Sequence, residues 1–422
     1  MSIHCYCHHH QTLKIGLEDR VKDVSQPPAE TQALVLENCH HVELYAGLLN
    51  HMENLQNLTV KQCHTVVVHP KLFEARGAKA GSETVENIQL QNIEKLKVKR
   101  YSFKDIRVRG VFFLGEVNME SVVSMAFHFK YVKEFSVFAS KFERISMFGI
   151  KIERCREFNI LGMTQFSSLA AHAIKAKADK FSLAYNWFGH LHDSSFDVEF
   201  GLCDIQGNTF RSLQGKPFLS LTPYFNLDPA TSPENTGLVF RENKFLSQPS
   251  LPWASLALPS FTQLSPSTSY IDIDTNQFVC DCQALDWFLA FGQLNHNSVA
   301  LSNIGRLQSQ TGQFSREMFR TAGSCLHCQG ENCAETGESL ADFATRVLTQ
   351  DTSGQVSCEG RPVRNYDDSQ DSKEHQSLGR REKLVNRDLE ADERLSESNT
   401  CPAYSIKPGH YFITILAIFL LY

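Results

Sequence analysis

The cysteines are the residues of this chain with the most evident chemistry. Thirteen of the 422 residues are cysteine, an odd number. Such a content is typical of an oxidising compartment, in which disulfides persist. Near the N-terminus, Cys5, Cys7 and the three histidines at 8–10 have the donor atoms that zinc prefers, although a disulfide-linked cap explains this cluster as well. We predict no metal and no cofactor.

Carboxylates are the second group of candidate catalytic residues. Glycoside hydrolysis needs two carboxyl groups about 5–9.5 Å apart on one face. The densest acidic group is Asp193, Asp197, Glu199 and Asp204. It lacks the clustered Asp-Asp, Gly-His-Gly and Arg-x-Lys pattern of polygalacturonase-like enzymes, and no nucleophile elbow or phosphate loop accompanies it. We therefore predict a protein without enzymatic activity, and the alternative is a secreted carbohydrate-active β-helix enzyme that acts on acidic polysaccharides.

A run of basic residues is the main candidate for a binding surface. Its seven members are Lys95, Lys97, Lys99, Arg100, Lys104, Arg107 and Arg109. Several alternate with apolar residues, so on strands they share outer faces over adjacent coils. Such a patch attracts sulfated glycans or anionic headgroups, and a merely solvated strand face is the simpler alternative. The net charge of −6 and the pI near 6.3 argue against a general nucleic-acid binder.

A repeat in the middle of the chain must position these groups. One column is aromatic, Phe142, Phe166, Phe188 and Phe210, and a polar column precedes it, Ser140, Thr164, Asn186 and Asn208. Two further columns keep the same spacing: Ile145, Leu169, Leu191 and Leu213, and Ile150, Ile174, Phe196 and Phe218. Stacked repeats bury together the apolar rows that a single repeat cannot bury. The columns predict a phenylalanine ladder and an asparagine ladder along the stack.

The spacing of about 23 residues fits two solenoid folds. A leucine-rich repeat has one strand per unit, whereas a parallel β-helix has three strands per coil. Each unit here contains a third alternating stretch and no return segment with helical periodicity. We therefore predict an all-β, right-handed parallel β-helix-like solenoid, with a leucine-rich-repeat solenoid as the alternative.

The segment that begins at Asn276 carries a family resemblance. It reads NQFVCDCQALDWF, with Cys280, Asp281 and Cys282 followed by Trp287. It resembles the C-terminal cysteine-rich cap of extracellular leucine-rich-repeat proteins, although Gln277 replaces the usual proline. The resemblance implies an extracellular solenoid whose exposed end is closed by disulfides. Six disulfide candidates lie in this region: Cys280, Cys282, Cys325, Cys328, Cys333 and Cys358.

Two further sites follow from spacing and from a short motif. Cys39 and Cys63 are 24 residues apart, which places them on adjacent levels, so they are candidates for a disulfide, and buried free thiols are the alternative. Asn57-Leu58-Thr59 is a sequon for N-glycosylation.

The C-terminus has the layout of a lipid-attachment signal. Residues 411–422 are apolar and uncharged, and a helix of that length is too short to span a bilayer. A polar spacer and a run of small residues that includes Ser398 and Asn399 precede them, as in a glycosylphosphatidylinositol signal. Near Met1 no apolar core of a signal peptide is visible, so we expect sequence upstream of Met1.

These observations predict five segments along the chain. They are an N-terminal cap remnant or truncated start (1–30), β-solenoid repeats (31–278), a cysteine-rich C-terminal cap (279–360), a disordered polar stalk (361–400) and a hydrophobic anchor signal (401–422). We expect a non-enzymatic recognition or adhesion protein on the extracellular side of the plasma membrane, or secreted. Its solenoid face would bind a protein or glycan partner, and a co-receptor or ligand-presenting scaffold is the third possibility. The partner's identity and the oligomeric state do not follow from the sequence.

Overall fold

The described part of the chain is built from β-strands. The structure, a computed structural model, describes residues 1–7, 12–16, 27–48, 52, 54–73, 84–223, 236–246, 269–279, 323–329 and 332–339. The strands are β1 Ser2–Tyr6, β2 Thr12–Ile15, β3 Ala33–Glu37, β4 His41–Leu44, β5 Asn57–Val68, β6 Thr84–Val85, β7 Asn87–Val98, β8 Ile106–Met119, β9 Phe127–Phe138, β10 Lys141–Ile145, β11 Ile150–Leu161, β12 Gln165–Leu169, β13 Ile174–Ala184, β14 Trp187–His192, β15 Phe196–Gln206, β16 Thr209–Gln214, β17 Leu221–Pro223, β18 Thr236–Arg241, β19 Lys244–Phe245, β20 Ser269–Asp274, β21 Asn276–Val279, β22 Gly323–Gln329 and β23 Asn332–Ser339.

The strands form one large, mostly parallel sheet in which each level stacks on the next. One level illustrates the plan. Residues 150–155 of β11 lie on what we call the first face, residues 157–161 of the same strand lie on the second face, and β12 lies on the third face. β11 pairs with β9 on one side and β13 on the other, and β12 pairs with β10 and β14. This all-β stack of parallel strands is the arrangement expected of a β-solenoid.

The repeat columns of the sequence are in register in the structure. Phe142 pairs with Phe166, Phe166 with Phe188, and Phe188 with Phe210. The column from Ile145 to Leu213 pairs in the same way. Residues paired across parallel strands lie one strand spacing apart, so identical side chains stack directly on one another.

The phenylalanine column forms a continuous aromatic ladder inside the stack. From Phe142 through Phe245 to Phe278, successive ring centroids are 5.0–5.1 Å apart, and every pair is stacked. A second ladder, absent from the sequence prediction, joins Phe112, Phe135 and Phe158. All of these rings are buried, so the excess of phenylalanine in the composition is used in the core.

The corner between the second and third faces has an unusual backbone. One residue on nearly every level there has a left-handed conformation, with φ between 47° and 64°: Asn38, Gln62, Asn92, Glu116, Ala139, Met163, Tyr185, Gly207, Glu242 and Thr275. For residues other than glycine this conformation costs roughly 1–2 kcal/mol each. The left-handed residue turns the side chain of the next residue into the stack, and the contacts of that side chain offset the cost.

Four buried asparagines follow these corner residues and form the predicted ladder. The Asn208 backbone N–H donates to Asn243 Oδ1 at 3.1 Å, and its Nδ2 donates to the Leu183 carbonyl at 2.8 Å. Asn186 and Asn243 make the same pair of bonds to their own neighbours, and Asn276 Nδ2 donates to the Phe240 carbonyl. The amides of Asn208, Asn243 and Asn276 thus each satisfy a backbone carbonyl and a backbone N–H of the preceding level, whereas Asn186 Oδ1 has no hydrogen-bond partner among the described residues.

The last strands that the structure describes form an antiparallel pair. β22 pairs in parallel with β21, so that Phe278 faces Cys325, and β23 then returns antiparallel to β22. Cys328 lies opposite Cys333 in the backbone register of this hairpin. An antiparallel strand interrupts the parallel register of the stack at the place where the sequence predicts a cap.

The asparagine ladder gives the first testable prediction. Asn208→Ala should lower the free energy of unfolding by about 2–6 kcal/mol, because the Leu183 carbonyl and the Asn186 N–H lose their partners at roughly 1–3 kcal/mol each. Urea unfolding followed by circular dichroism measures the change. Thr209→Ala, at the next and half-buried position, is the matched control and should change stability by less than about 0.5 kcal/mol. Equal effects of the two substitutions would show that the ladder is energetically unimportant.

Candidate functional site

The seven predicted basic residues lie together on one edge of the stack, which we call the basic corner. Lys95 and Lys97 point outward from the end of β7, and Arg107 and Arg109 point outward from the start of β8. Lys99, Arg100 and Lys104 lie on or beside the turn between these strands. All seven side chains are exposed. The structure thus places the run on two faces that meet at this turn, rather than on one outer face shared by adjacent coils as the sequence predicts.

Few carboxylates neutralise the basic corner. Within the described residues, the one ion pair made by the seven is a 3.8 Å contact between Arg109 and Glu86, both of them well exposed. Alternate residues on a strand are about 7 Å apart, which is shorter than the Debye length of about 8 Å at physiological ionic strength. The positive electrostatic potentials of the charges on one strand therefore add together.

Tyr101 holds the turn of the basic corner in place. The Arg100 guanidinium lies 4.7 Å from the centroid of its ring, and Lys104 Nζ lies 5.7 Å from it. The Tyr101 backbone is left-handed, with φ 63°, and is hydrogen-bonded to Lys71 on one side and Met125 on the other. The two cations consequently project from a backbone that is fixed on both sides.

The acidic residues considered for catalysis include two that are part of structural ion pairs on the first face. Lys175 Nζ is 2.8 Å from Asp197, and Lys177 Nζ is 2.7 Å from Glu199. These pairs join adjacent strands, β13 and β15, at neighbouring outward positions. Asp193 instead accepts a hydrogen bond from the Lys216 backbone N–H. These three carboxylates therefore have structural partners.

A second cluster on the first face was not predicted from the sequence. Asp105, His128 and Glu153 come from three successive levels, and one ligand atom from each lies within 4.8 Å of the others. The His128 side chain is 7% exposed, its Nδ1 is 3.6 Å from Asp105 Oδ1, and its Nε2 is 3.5 Å from Glu153 Oε1. Both distances exceed those of ordinary hydrogen bonds, and neither ring nitrogen has a hydrogen-bond partner.

The surroundings of His128 keep its ring neutral. Burial lowers the pKa of His128, and the nearby charge of Lys151 lowers it further, against the opposing effect of Asp105 and Glu153. A buried polar group without a hydrogen bond costs about 1–3 kcal/mol. This cluster contains the residues best suited to hold a metal ion in the described part of the chain.

The N-terminal levels contain a third polar cluster, centred on Glu43. His41 Nε2 is 3.1 Å from Glu43 Oε1, and His69 Nε2 is 3.0 Å from Glu43 Oε2. The Tyr45 hydroxyl donates to the same carboxylate, and its ring stacks on His69. These hydrogen bonds, that of His41 first, hold the pKa of Glu43 well below its ordinary value.

The predicted disulfide between Cys39 and Cys63 is wrong. Cys39 is bonded to Cys7, with 4.8 Å between their Cα atoms, and Cys63 is a buried thiol. All three cysteines lie at the same corner on successive levels, because Tyr6 pairs with Glu37 and Glu37 with Lys61. Cys39 can bond only one neighbour. Burial raises the pKa of the Cys63 thiol and so makes it less reactive.

The structure describes only some of the remaining predicted site residues. Cys325 is disulfide-bonded, and its partner lies outside the described side chains. Cys280, Cys282 and Cys358, the side chains of Cys328 and Cys333, His8 to His10, and the attachment residues Ser398 and Asn399 also lie outside them. Asn57 is the first residue of β5, and its side-chain oxygen accepts a hydrogen bond from Asn87 Nδ2. The sequon therefore lies at the start of a paired strand.

Comparison with protein-family models, with curated proteins and with solved structures gives no match for this chain. Within its described residues, the chain has no helix long and apolar enough to cross a bilayer.

The Glu43 cluster gives a prediction about pH. Because its pKa is lower in the folded than in the unfolded state, the ionised carboxylate stabilises the fold above the ordinary glutamate pKa, and this contribution disappears as the pH falls towards the folded-state pKa. Glu43→Gln should lower the free energy of unfolding by about 1.5–3 kcal/mol at pH 7, and the difference from the wild type should shrink between about pH 5 and pH 3.

Urea unfolding at several pH values measures this difference. The control is Glu143→Gln, which removes a half-exposed carboxylate paired with Lys141 and should cost less than about 1 kcal/mol. If the difference in free energy of unfolding between Glu43→Gln and the wild type stays constant from pH 7 to pH 3, the ionised Glu43 carboxylate does not have this stabilising role.

Proposed function

We propose that this chain is a non-enzymatic recognition protein that binds sulfated glycans through the basic corner. The observation that carries the proposal is the set of seven exposed basic side chains on two adjacent levels, of which, among the described residues, only Arg109 forms an ion pair with a carboxylate. A sulfated glycan presents anionic groups at regular intervals along an extended chain. A row of cations on a paired strand is a similarly regular and rigid complement, and little conformational freedom is lost on binding.

The net charge of the chain indicates that an anionic ligand is attracted to the basic corner and not to the surface as a whole. The whole molecule has a formal charge of −6, so anions are repelled by much of its surface and attracted by the basic corner. Tyr101 adds a fixed polar and aromatic group at the centre of this surface. Binding to one edge of a stack is typical of extended repeat proteins, whose long faces serve recognition.

We further propose that the protein is extracellular, held at the plasma membrane by a C-terminal lipid anchor. The disulfide between Cys7 and Cys39 and the bonded state of Cys325 support an oxidising compartment. The apolar C-terminal residues and the small residues at Ser398 and Asn399 support the anchor. A co-receptor that presents glycan-bound ligands would also fit this location.

The finer description of the fold is part of the same proposal. We take the stack to be a right-handed parallel β-helix with coils of about 23 residues, closed by a cysteine-rich cap of the leucine-rich-repeat type. Three strand segments in residues 150–169 support this description over a leucine-rich repeat, which has one strand per unit.

Charge reversal tests the proposed binding surface. Lys97→Glu combined with Lys99→Glu changes the local charge by four units. At about 1 kcal/mol per basic residue near an anionic surface, affinity for a heparin chain should fall at least tenfold. The affinity of the wild type should also fall as the salt concentration rises. Surface plasmon resonance on immobilised heparin measures both effects.

The matched control changes the same net charge elsewhere. Arg156→Glu combined with Lys180→Glu alters two exposed residues on β11 and β13, outside the basic corner, and should weaken binding less than threefold. If both double variants lose affinity equally, net charge rather than the basic corner is responsible. Absence of wild-type binding to heparin at low salt would refute the glycan proposal itself.

Enzymatic release from cells tests the anchor. Treatment of cells that express the full protein with phosphatidylinositol-specific phospholipase C should move it from the cell surface to the medium. Replacement of both Ser398 and Asn399 by bulky residues should prevent surface display, because the attachment site needs small residues. A protein that stays on the cells after phospholipase treatment has another kind of attachment.

A further inference from the structure

The cluster of Asp105, His128 and Glu153 has no role in the glycan binding proposed above. It lies on the first face, where the left-handed backbone at Asp105 hydrogen-bonds to the His128 carbonyl and β9 pairs with β11. Elsewhere on this face, opposite charges on adjacent strands meet at 2.7–2.8 Å, as for Lys175 with Asp197 and Lys177 with Glu199. Here a neutral ring separates two carboxylates instead.

The burial of His128 is the observation that requires an explanation. Its side chain is 7% exposed, and both ring nitrogens lack a hydrogen-bond partner although each faces a carboxylate oxygen. Buried polar atoms in native proteins are almost always satisfied by protein, water or an ion. The distances of 3.5 and 3.6 Å are too long for ordinary hydrogen bonds. One ligand atom from each of the three residues lies within 4.8 Å of the other two, so a small side-chain rotation brings them to the spacing of about 3.0–3.4 Å between ligands on one metal ion with bonds of about 2.1 Å.

We propose that Asp105, His128 and Glu153 bind a divalent transition-metal ion. One imidazole nitrogen and two carboxylate oxygens are a mixed donor set that suits Mn²⁺ or Zn²⁺, and water completes the coordination. The ion bonds to one ring nitrogen of His128. Glu153, which is 49% exposed, rotates towards it, whereas Asp105 is held in place by its backbone.

The charges around the cluster are compatible with a cation. The two carboxylates contribute two negative charges, which Lys151 offsets only in part. A bound divalent ion would balance the two carboxylates.

Manganese binding to the full chain tests this site. Mn²⁺ is a better probe of this site than Zn²⁺. The chain has 17 histidines, and isolated surface histidines bind Zn²⁺ more readily than Mn²⁺. Free Mn²⁺ gives an electron paramagnetic resonance signal that bound ion loses. We expect one ion per chain, with affinity reduced at least tenfold by Glu153→Gln and by Asp105→Asn.

Both substitutions are expected to leave the fold intact, so a loss of Mn²⁺ affinity reports on the site itself. Glu153 is half-exposed, and asparagine tolerates the left-handed backbone of position 105. The matched control, Glu199→Gln, removes a carboxylate from the same face and should leave Mn²⁺ binding unchanged. Binding that is equal in all four proteins overturns the proposal, and so does a wild-type chain that binds no Mn²⁺ at about millimolar concentration.

Discussion

The corner between the second and third faces is the constraint on which the rest of the stack depends. On nearly every level one residue adopts a left-handed backbone, and the residue after it turns inward. In the C-terminal half this inward residue is asparagine, which has both a donor and an acceptor. It can therefore satisfy both a strand carbonyl and a backbone N–H of the preceding level, as Asn208 does with Leu183 and Asn186. Several such bonds, at about 0.5–1.5 kcal/mol net each, offset the strain of the corner.

The same corner explains why the ladder weakens towards the middle of the chain. Ser140 and Thr164 occupy the asparagine position there, and a hydroxyl group has a shorter reach and a single hydrogen to donate. The bond from the Ser140 backbone N–H to Thr164 Oγ1 is 3.5 Å long, compared with 3.0–3.1 Å between the asparagines. In this region a second aromatic ladder, that of Phe112, Phe135 and Phe158, is present in addition to the ladder that begins at Phe142.

A fixed internal register also determines the outer surface. Once the buried side chains of adjacent levels are aligned, the outward residues between them are aligned as well. On the first face this alignment joins Lys175 to Asp197, and near the turn at Tyr101 it gathers cations instead. The pairing of unlike charges and the basic corner therefore have one cause, and they differ only in which residues occupy the outward positions.

The sequence by itself determined the features that repeat. The phenylalanine and asparagine columns are visible because the same residue type returns at the spacing of the repeat, and parallel pairing converts that spacing into contact. The basic run is visible because its members lie close together along the chain. Only the tertiary structure decided the features that do not repeat. Cys39 has cysteines on both neighbouring levels, and its separation of 32 residues from Cys7 departs from the repeat spacing of about 23 that pointed to Cys63. Asp105, His128 and Glu153 are different residue types on three levels, so no periodicity marks them. Their relation arises from side chains that converge across strands, which spacing along the chain does not encode.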